Sequence, residues 1–212
     1  MLEYQCIPVG MFQSNTYLLR DVPSGALALV DCGFFNRPVR EAVEAWGGDL
    51  RWILLTHGHF DHVMGVPDAR CAYPAALTAI GEADADYLRG KIETLPGRVS
   101  RHQRPAEPDR LLMGGDEIIL GESRISVLAS PGHTPGGLCF FCGADRLLFS
   151  GDTLFHEEVG RVDLPGGDWD ALLATLALLL ALDGDIAVLP GHGKASGIAH
   201  ERAFNPYAKE IG

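Results

Sequence analysis

No apolar run in the sequence approaches the roughly 20 residues that a bilayer-spanning helix needs. The longest, ALLATLALLLAL over residues 171–182, follows Asp168 and Asp170 and precedes Gly184. That is the polarity of helix start and stop signals, and it predicts a buried helix over 168–182. The opening MLEYQCIPVG has neither a charged n-region nor an apolar h-region, so no secretory signal is expected and the chain is assigned to the cytoplasm. Cations are scarce: 17 Lys and Arg stand against 28 Asp and Glu, for a formal net charge of −11. A field of that sign repels nucleic-acid backbones and anionic membranes, so neither is an expected partner. Cysteine is sparse too, an odd five with no framework of spacings, which suits a reducing compartment. The one CxxC, CFFC at 139–142, has no second pair to complete a zinc ribbon and lies in an apolar, strand-like run, so buried inert thiols are expected there. Repeats, low-complexity tracts and linkers rich in serine or proline are absent, so one domain is expected over 1–212.

What is present is a series of short β-like runs bounded by glycine, proline or aspartate: NTYLL, ALALV, RWILLT, EIIL, RISVLAS, LCFF, RLLFS and IAVLP. Helical patterns fit 37–46, 74–95 and 168–182. This mixture predicts an α/β chain of sheet layers covered by helices.

The polar residues cluster where strands end. RWILLT runs into HGHFDH, RISVLAS into PGH with His133, RLLFS into GD with Asp152, and IAVLP into GHG with His192. Loops at strand ends can converge on one crevice over a rigid scaffold. Together they offer five imidazoles, His57, His59, His62, His133 and His192, and two carboxylates, Asp61 and Asp152. Seven groups exceed what one zinc takes, since a structural site uses four ligands and a catalytic site three plus water. They divide into two sites sharing a bridging carboxylate. Two adjacent metals can generate a hydroxide nucleophile at neutral pH and polarise the group it attacks.

The motifs THGHFDH, PGHTPGG, FSGDTLF and LPGHG, in this order, resemble the metallo-β-lactamase superfamily, and within it the hydroxyacylglutathione hydrolase (glyoxalase II) group. The resemblance runs from VGMFQSNTYLL to HERAFNP and implies a four-layer αββα sandwich. It implies that His57, His59 and His133 bind a first metal, that Asp61, His62 and His192 bind a second, and that Asp152 bridges both. Zinc is the expected ion, with iron and manganese as alternatives. Aspartate rather than cysteine in the third motif, with the complete HxHxDH, separates the chain from the common zinc β-lactamases. His102, His156 and His200 lie outside these motifs; His102 is expected on the surface.

The resemblance implies a small-molecule thioester as substrate, such as S-D-lactoylglutathione, cleaved to a hydroxy acid and a thiol by a metal-bridging hydroxide, with Asp61 and Asp152 as catalytic residues. A thiolate leaves readily, so no dedicated general acid is required, although other esters remain open on this ground. Only about twenty residues follow His192, so the C-terminal helical domain of longer glyoxalase II enzymes is not expected. Arg161 stands at the basic position that contacts glutathione in those enzymes, and Asp163 where an aromatic is expected. Arg161 is therefore a candidate substrate-binding residue with an equal claim to a structural ion pair with Asp163. Two alternatives stay open: a mononuclear iron persulfide dioxygenase using His57, His133 and Asp152, and an inactive metal-binding module. No oligomeric state is assigned.

Overall fold

The computed structural model describes residues 1–93 and 103–211; His102 and the end of the expected 74–95 helix lie outside them. The first sheet is built from β1 (Leu2–Val9), β2 (Ser14–Asp21), β3 (Leu27–Val30), β4 (Leu50–Leu54), β5 (Leu77–Gly81) and β6 (Arg110–Leu112), side by side in chain order. Its first three strands are antiparallel, and β3 to β6 run parallel. The second sheet contains β7 (Glu117–Leu120), β8 (Ser123–Ala129), β9 (Leu138–Cys142), β10 (Leu147–Gly151), β13 (Ala187–Pro190) and β14 (Ser196–Gly197), in the order β14-β13-β10-β9-β8-β7. A small hairpin of β11 (Leu154–Phe155) and β12 (Glu158–Val159) stands beside it.

The inner faces of the two sheets pack on each other through Leu19, Val30, Leu54 and Ala79 from one side and Ile125, Val127, Phe140 and Phe149 from the other. On the outer face of the first sheet, Leu18, Leu29 and Ile53 meet Val39 and Val43 of α1 (Arg37–Ala45), Val66 and Ala69 of α3 (Val66–Ala72), and Leu88 of α4 (Ala85–Leu88). On the outer face of the second, Cys139, Leu148 and Val188 meet Leu172, Leu176 and Leu179 of α5 (Trp169–Leu180) and Ile198 of α6 (Ile198–Phe204). The layers are thus helix, sheet, sheet, helix, and each strand buried on both faces needs the near-continuous apolar sequence it has. Asp21 fastens the sheets together at one edge: it closes β2 and accepts hydrogen bonds from Ser123 Oγ (2.6 Å) and the Glu122 amide (3.2 Å) in the β7–β8 turn.

Local signals explain the helix ends. The Asn36 side chain accepts from the Val39 amide, and the Asp168 side chain accepts from the Ala171 amide at 2.9 Å, each serving as an N-cap. The helices expected at 37–46 and 168–182 are present within a residue or two of those limits. The third expectation is overturned: 74–95 contains β5, a 3₁₀ turn at Glu82–Asp84 and the single-turn α4. CAYPAALTAIG is rich in alanine and reads as helical, yet its register between β4 and β6 buries Thr78, Ala79, Ile80 and Gly81 in the sheet. Tertiary pairing outweighs a propensity difference of a few tenths of a kcal/mol per residue. The CFFC cysteines face opposite sides of β9, Cys139 into the α5 layer and Cys142 into the inter-sheet core. Burial pushes their thiols up to about 11 and about 12.

Candidate metal centre

The structure brings all seven sequence-derived candidates to one end of the sandwich. His57 and His59 lie in the loop after β4, and Asp61 and His62 in the single-turn helix α2 (Phe60–Val63) that follows. His133 follows β8, Asp152 follows β10 and His192 follows β13. The last loop is fastened to the first sheet. The Asn15 amide donates to Gly191 O at 2.6 Å, and its side-chain nitrogen donates to Pro190 O and Gly193 O, both at 2.9 Å.

Hydrogen bonds orient the imidazoles. His133 Nδ1 donates to Arg161 O at 2.7 Å and His62 Nδ1 to Asp31 Oδ2 at 2.8 Å, while His192 Nδ1 donates to Phe12 O at 3.1 Å. Each bond keeps a proton on Nδ1 and turns Nε2 inward as the nitrogen that can bind a metal. His133 Nε2 is 2.8 Å from His59 Nδ1, and His62 Nε2 is 3.2 Å from His192 Nε2. Asp61 Oδ2 lies 3.3 Å from His192 Nε2 and 3.7 Å from His62 Nε2. Asp152 stands between the two groups: its oxygens lie 3.5 Å from His62 Nε2, 3.5 Å from His192 Nε2 and 3.7 Å from His133 Nε2. His57 Nε2, His59 Nε2 and Asp152 Oδ1 are buried without a hydrogen-bond partner among the described residues.

This donor set fits a divalent cation. Two ligands each 2.0–2.1 Å from a tetrahedral zinc stand about 3.3 Å apart, and the inward separations bracket that value. Three sets of ligand atoms each lie within 4.8 Å of one another: His57, His59 and His133; His57, His62 and Asp152; Asp61, His62 and His192. Burial, with the neighbouring imidazoles, keeps His57 well below the ordinary histidine range and His59 at about 3, so both are neutral, the form that binds metal. Burial disfavours charge on His62, but Asp152, Asp61 and Asp31 hold it above the usual range. Burial likewise opposes ionisation of Asp152, and the charge and hydrogen bond of His62 keep it ionised. The carboxylates therefore call for positive charge between them, which a divalent ion supplies.

Two residues that the sequence reading passed over organise this centre. Asp31, buried just after β3, accepts from His62 Nδ1 and also from the Thr56 amide at 2.8 Å and the Thr56 hydroxyl at 2.8 Å. Asp84 joins two motif loops, accepting from the Gly58 amide at 2.8 Å and the Gly136 amide at 2.6 Å. Burial raises its carboxyl above the ordinary range. An aspartate closing the apolar run ALALV was the available signal for Asp31; Asp84 sits among other acidic residues in GEADAD and carried none.

The centre opens into a cleft of about 410 Å³ whose wall is largely apolar: Phe12, Phe60, Phe155, Val159 and Leu164. Arg161 also lines it, but its guanidinium makes a two-pronged pair with Asp163, at 2.5 and 2.6 Å. Of its two expected roles, the ion pair is the one present in the structure.

The family model for the metallo-beta-lactamase superfamily matches residues 9–192. The hydroxyacylglutathione hydrolase GloC of Haemophilus influenzae is 32% identical over 212 residues, spanning 97% of this chain and 98% of that protein. Among solved structures, the B3 metallo-beta-lactamase BLEG-1 superposes with a TM-score of 0.90 at 30% identity, covering 97% of this chain and 99% of the other. TTHA1623, crystallised in a di-iron-bound form, gives 0.83 at 32% identity over 96% and 99% of the two chains. With the motif loops, the αββα layers and the clustered imidazoles and carboxylates agreeing, the chain belongs to the metallo-β-lactamase superfamily, whose members bind divalent metals through such His and Asp clusters.

Proposed function

We propose that the protein is a dinuclear metal-dependent thioesterase of the hydroxyacylglutathione hydrolase type. His57, His59 and His133 would hold one ion and Asp61, His62 and His192 the other, with Asp152 placed between the two groups to serve both. Zinc is the ion proposed, and the similarity to a di-iron-bound structure keeps iron in the test. The observation that carries the reading is the second ligand group: ligand atoms of Asp61, His62 and His192 lie within 4.8 Å of one another, and a single iron held by His57, His133 and Asp152 would leave that group without a role. When bound, the metal pair would supply an activated water nucleophile at neutral pH and polarise the thioester carbonyl.

The chain's own residues do the rest. Asp31, the Arg161 carbonyl and the Phe12 carbonyl fix which nitrogen of His62, His133 and His192 is protonated, so the ligands are set before substrate arrives. The apolar cleft walls exclude water around the thioester and receive its acyl or thiol portion. Because a thiolate departs without protonation at neutral pH, the cleft needs no further acid. With Arg161 paired to Asp163, recognition of the glutathione carboxylates is weak, and simple acyl thioesters turn over at rates near that of S-D-lactoylglutathione.

A substrate panel tests this. Metal-loaded protein is assayed with S-D-lactoylglutathione, neutral acyl thioesters, a β-lactam, and glutathione persulfide with an oxygen electrode. Thioester hydrolysis with neither β-lactam cleavage nor oxygen uptake is the expected result. Oxygen uptake would assign a dioxygenase, β-lactam cleavage alone a lactamase, and bound metal without turnover a binding module.

A further inference from the structure

A second set of metal-ligating side chains lies outside the centre described above. His156 and Glu157 form the two-residue turn between β11 and β12, and His200 projects from α6. One ligand atom from each lies within 4.8 Å of the others. Glu157 Oε1 is 2.8 Å from His200 Nε2 and 3.7 Å from His156 Nε2, a spread that brackets the roughly 3.3 Å between ligands of a tetrahedral zinc. The two imidazole centroids are 4.7 Å apart at 34°, and His200 also rests on Phe204 at 4.9 Å.

The frame beneath these residues is held independently. Fully buried Glu201 accepts from the Glu157 amide at 2.8 Å, from Asn205 Nδ2 at 2.8 Å and from the Ser196 hydroxyl. The hairpin turn and α6 are therefore fixed relative to each other without help from His156 or His200. Binding an ion there requires no rearrangement of the backbone that carries the three side chains.

We propose that His156, Glu157 and His200 form a separate surface site for a borderline divalent transition ion, with zinc as the type. Two imidazole nitrogens and one carboxylate suit zinc, copper, nickel or ferrous ion, whereas magnesium and calcium take oxygen ligands. An ion here adds a second tie between the β11–β12 hairpin and α6, beside the one that Glu201 makes. That hairpin also places Phe155 and Val159 in the wall of the catalytic cleft, so the added tie stiffens one side of the substrate passage.

The test compares zinc stoichiometry of the whole protein with that of His156→Ala/His200→Ala by equilibrium dialysis, with Glu157→Gln as a second variant that keeps the side-chain shape. The protein is expected to bind one more zinc equivalent than either variant, and zinc beyond the catalytic equivalents is expected to raise its Tm but not theirs. Magnesium should do neither. Equal stoichiometry in all three proteins overturns the site. If the dinuclear proposal failed, the baseline count would change while the difference between protein and variants would still report on this cluster.

Discussion

Asp31 makes no contact with the cleft, yet its replacement by asparagine should disable one half of the metal centre. Asp31 Oδ1 accepts from the Thr56 amide at 2.8 Å, and Oδ2 accepts from His62 Nδ1 at 2.8 Å. In Asp31→Asn the backbone amide of Thr56 remains an obligate donor, so the asparagine oxygen must face it and the side-chain NH₂ must face His62. A donor then opposes Nδ1–H. The low-cost remedy is for His62 to move its proton to Nε2, the atom that faces Asp61, Asp152 and His192. Asp31 has φ of 56°, and asparagine tolerates that left-handed conformation, so the backbone should be unchanged. Changes in such supporting partners cost about 10- to 100-fold in metal affinity, or roughly 1.4–2.7 kcal/mol. Competition with a chelating dye measures it. The weaker zinc equivalent should lose affinity by that factor, while the His57, His59 and His133 group keeps its own. Equal losses at both equivalents, or none, would refute the tautomer argument.

Asp21 gives a pH signature unrelated to metal. Burial opposes its ionisation, but hydrogen bonds from Ser123, Ser24 and the Glu122 amide hold its carboxyl at about 2, against an ordinary 3.8. A folded pKa below the unfolded one adds stability above about pH 4 that is lost as pH falls toward 2; urea unfolding of Asp21→Asn should show a flatter profile across that window, and an unchanged slope would contradict the assignment. Gly191→Ala sets a Cβ 2.1 Å from Asp152 Oδ1 and 2.8 Å from His62 Cε1. Displacing both groups should lower turnover more than tenfold while circular dichroism stays native, and wild-type kinetics would show that Asp152 is misplaced. Asp163→Asn frees the Arg161 guanidinium from an exposed, solvent-screened pair. KM for S-D-lactoylglutathione should fall by no more than a few-fold, with no change for a neutral acyl thioester; equal shifts on both would assign Arg161 to structure.

The legible parts of the centre are those in which chemistry and chain position coincide. His57, His133, Asp152 and His192 each follow an apolar run closely, so a strand-end rule locates them without coordinates. Asp31 and Asp84 act through hydrogen bonds to residues distant in sequence, Asp31 on His62 and Asp84 on Gly136, and no local pattern marks such a partner. The strand β1 leaves no clear pattern in the sequence because it is an edge with only Leu2, Ile7 and Val9 buried among its eight residues, which blurs the alternation. The strand β5 has a helix-like sequence, and its identity comes from the parallel partners on either side. His156 and His200 lie outside the motifs and 44 positions apart, and only the hairpin turn and α6 bring their side chains together.

The most direct measurement of the central claim is a titration of metal-free protein with zinc, following S-D-lactoylglutathione hydrolysis and bound metal in the same samples. With the surface cluster removed by His156→Ala/His200→Ala, hydrolysis is expected to rise as the second equivalent binds and to level off at two. Full activity at one equivalent, or two equivalents bound with no thioester cleaved by the zinc, iron or manganese form, would contradict a dinuclear thioesterase.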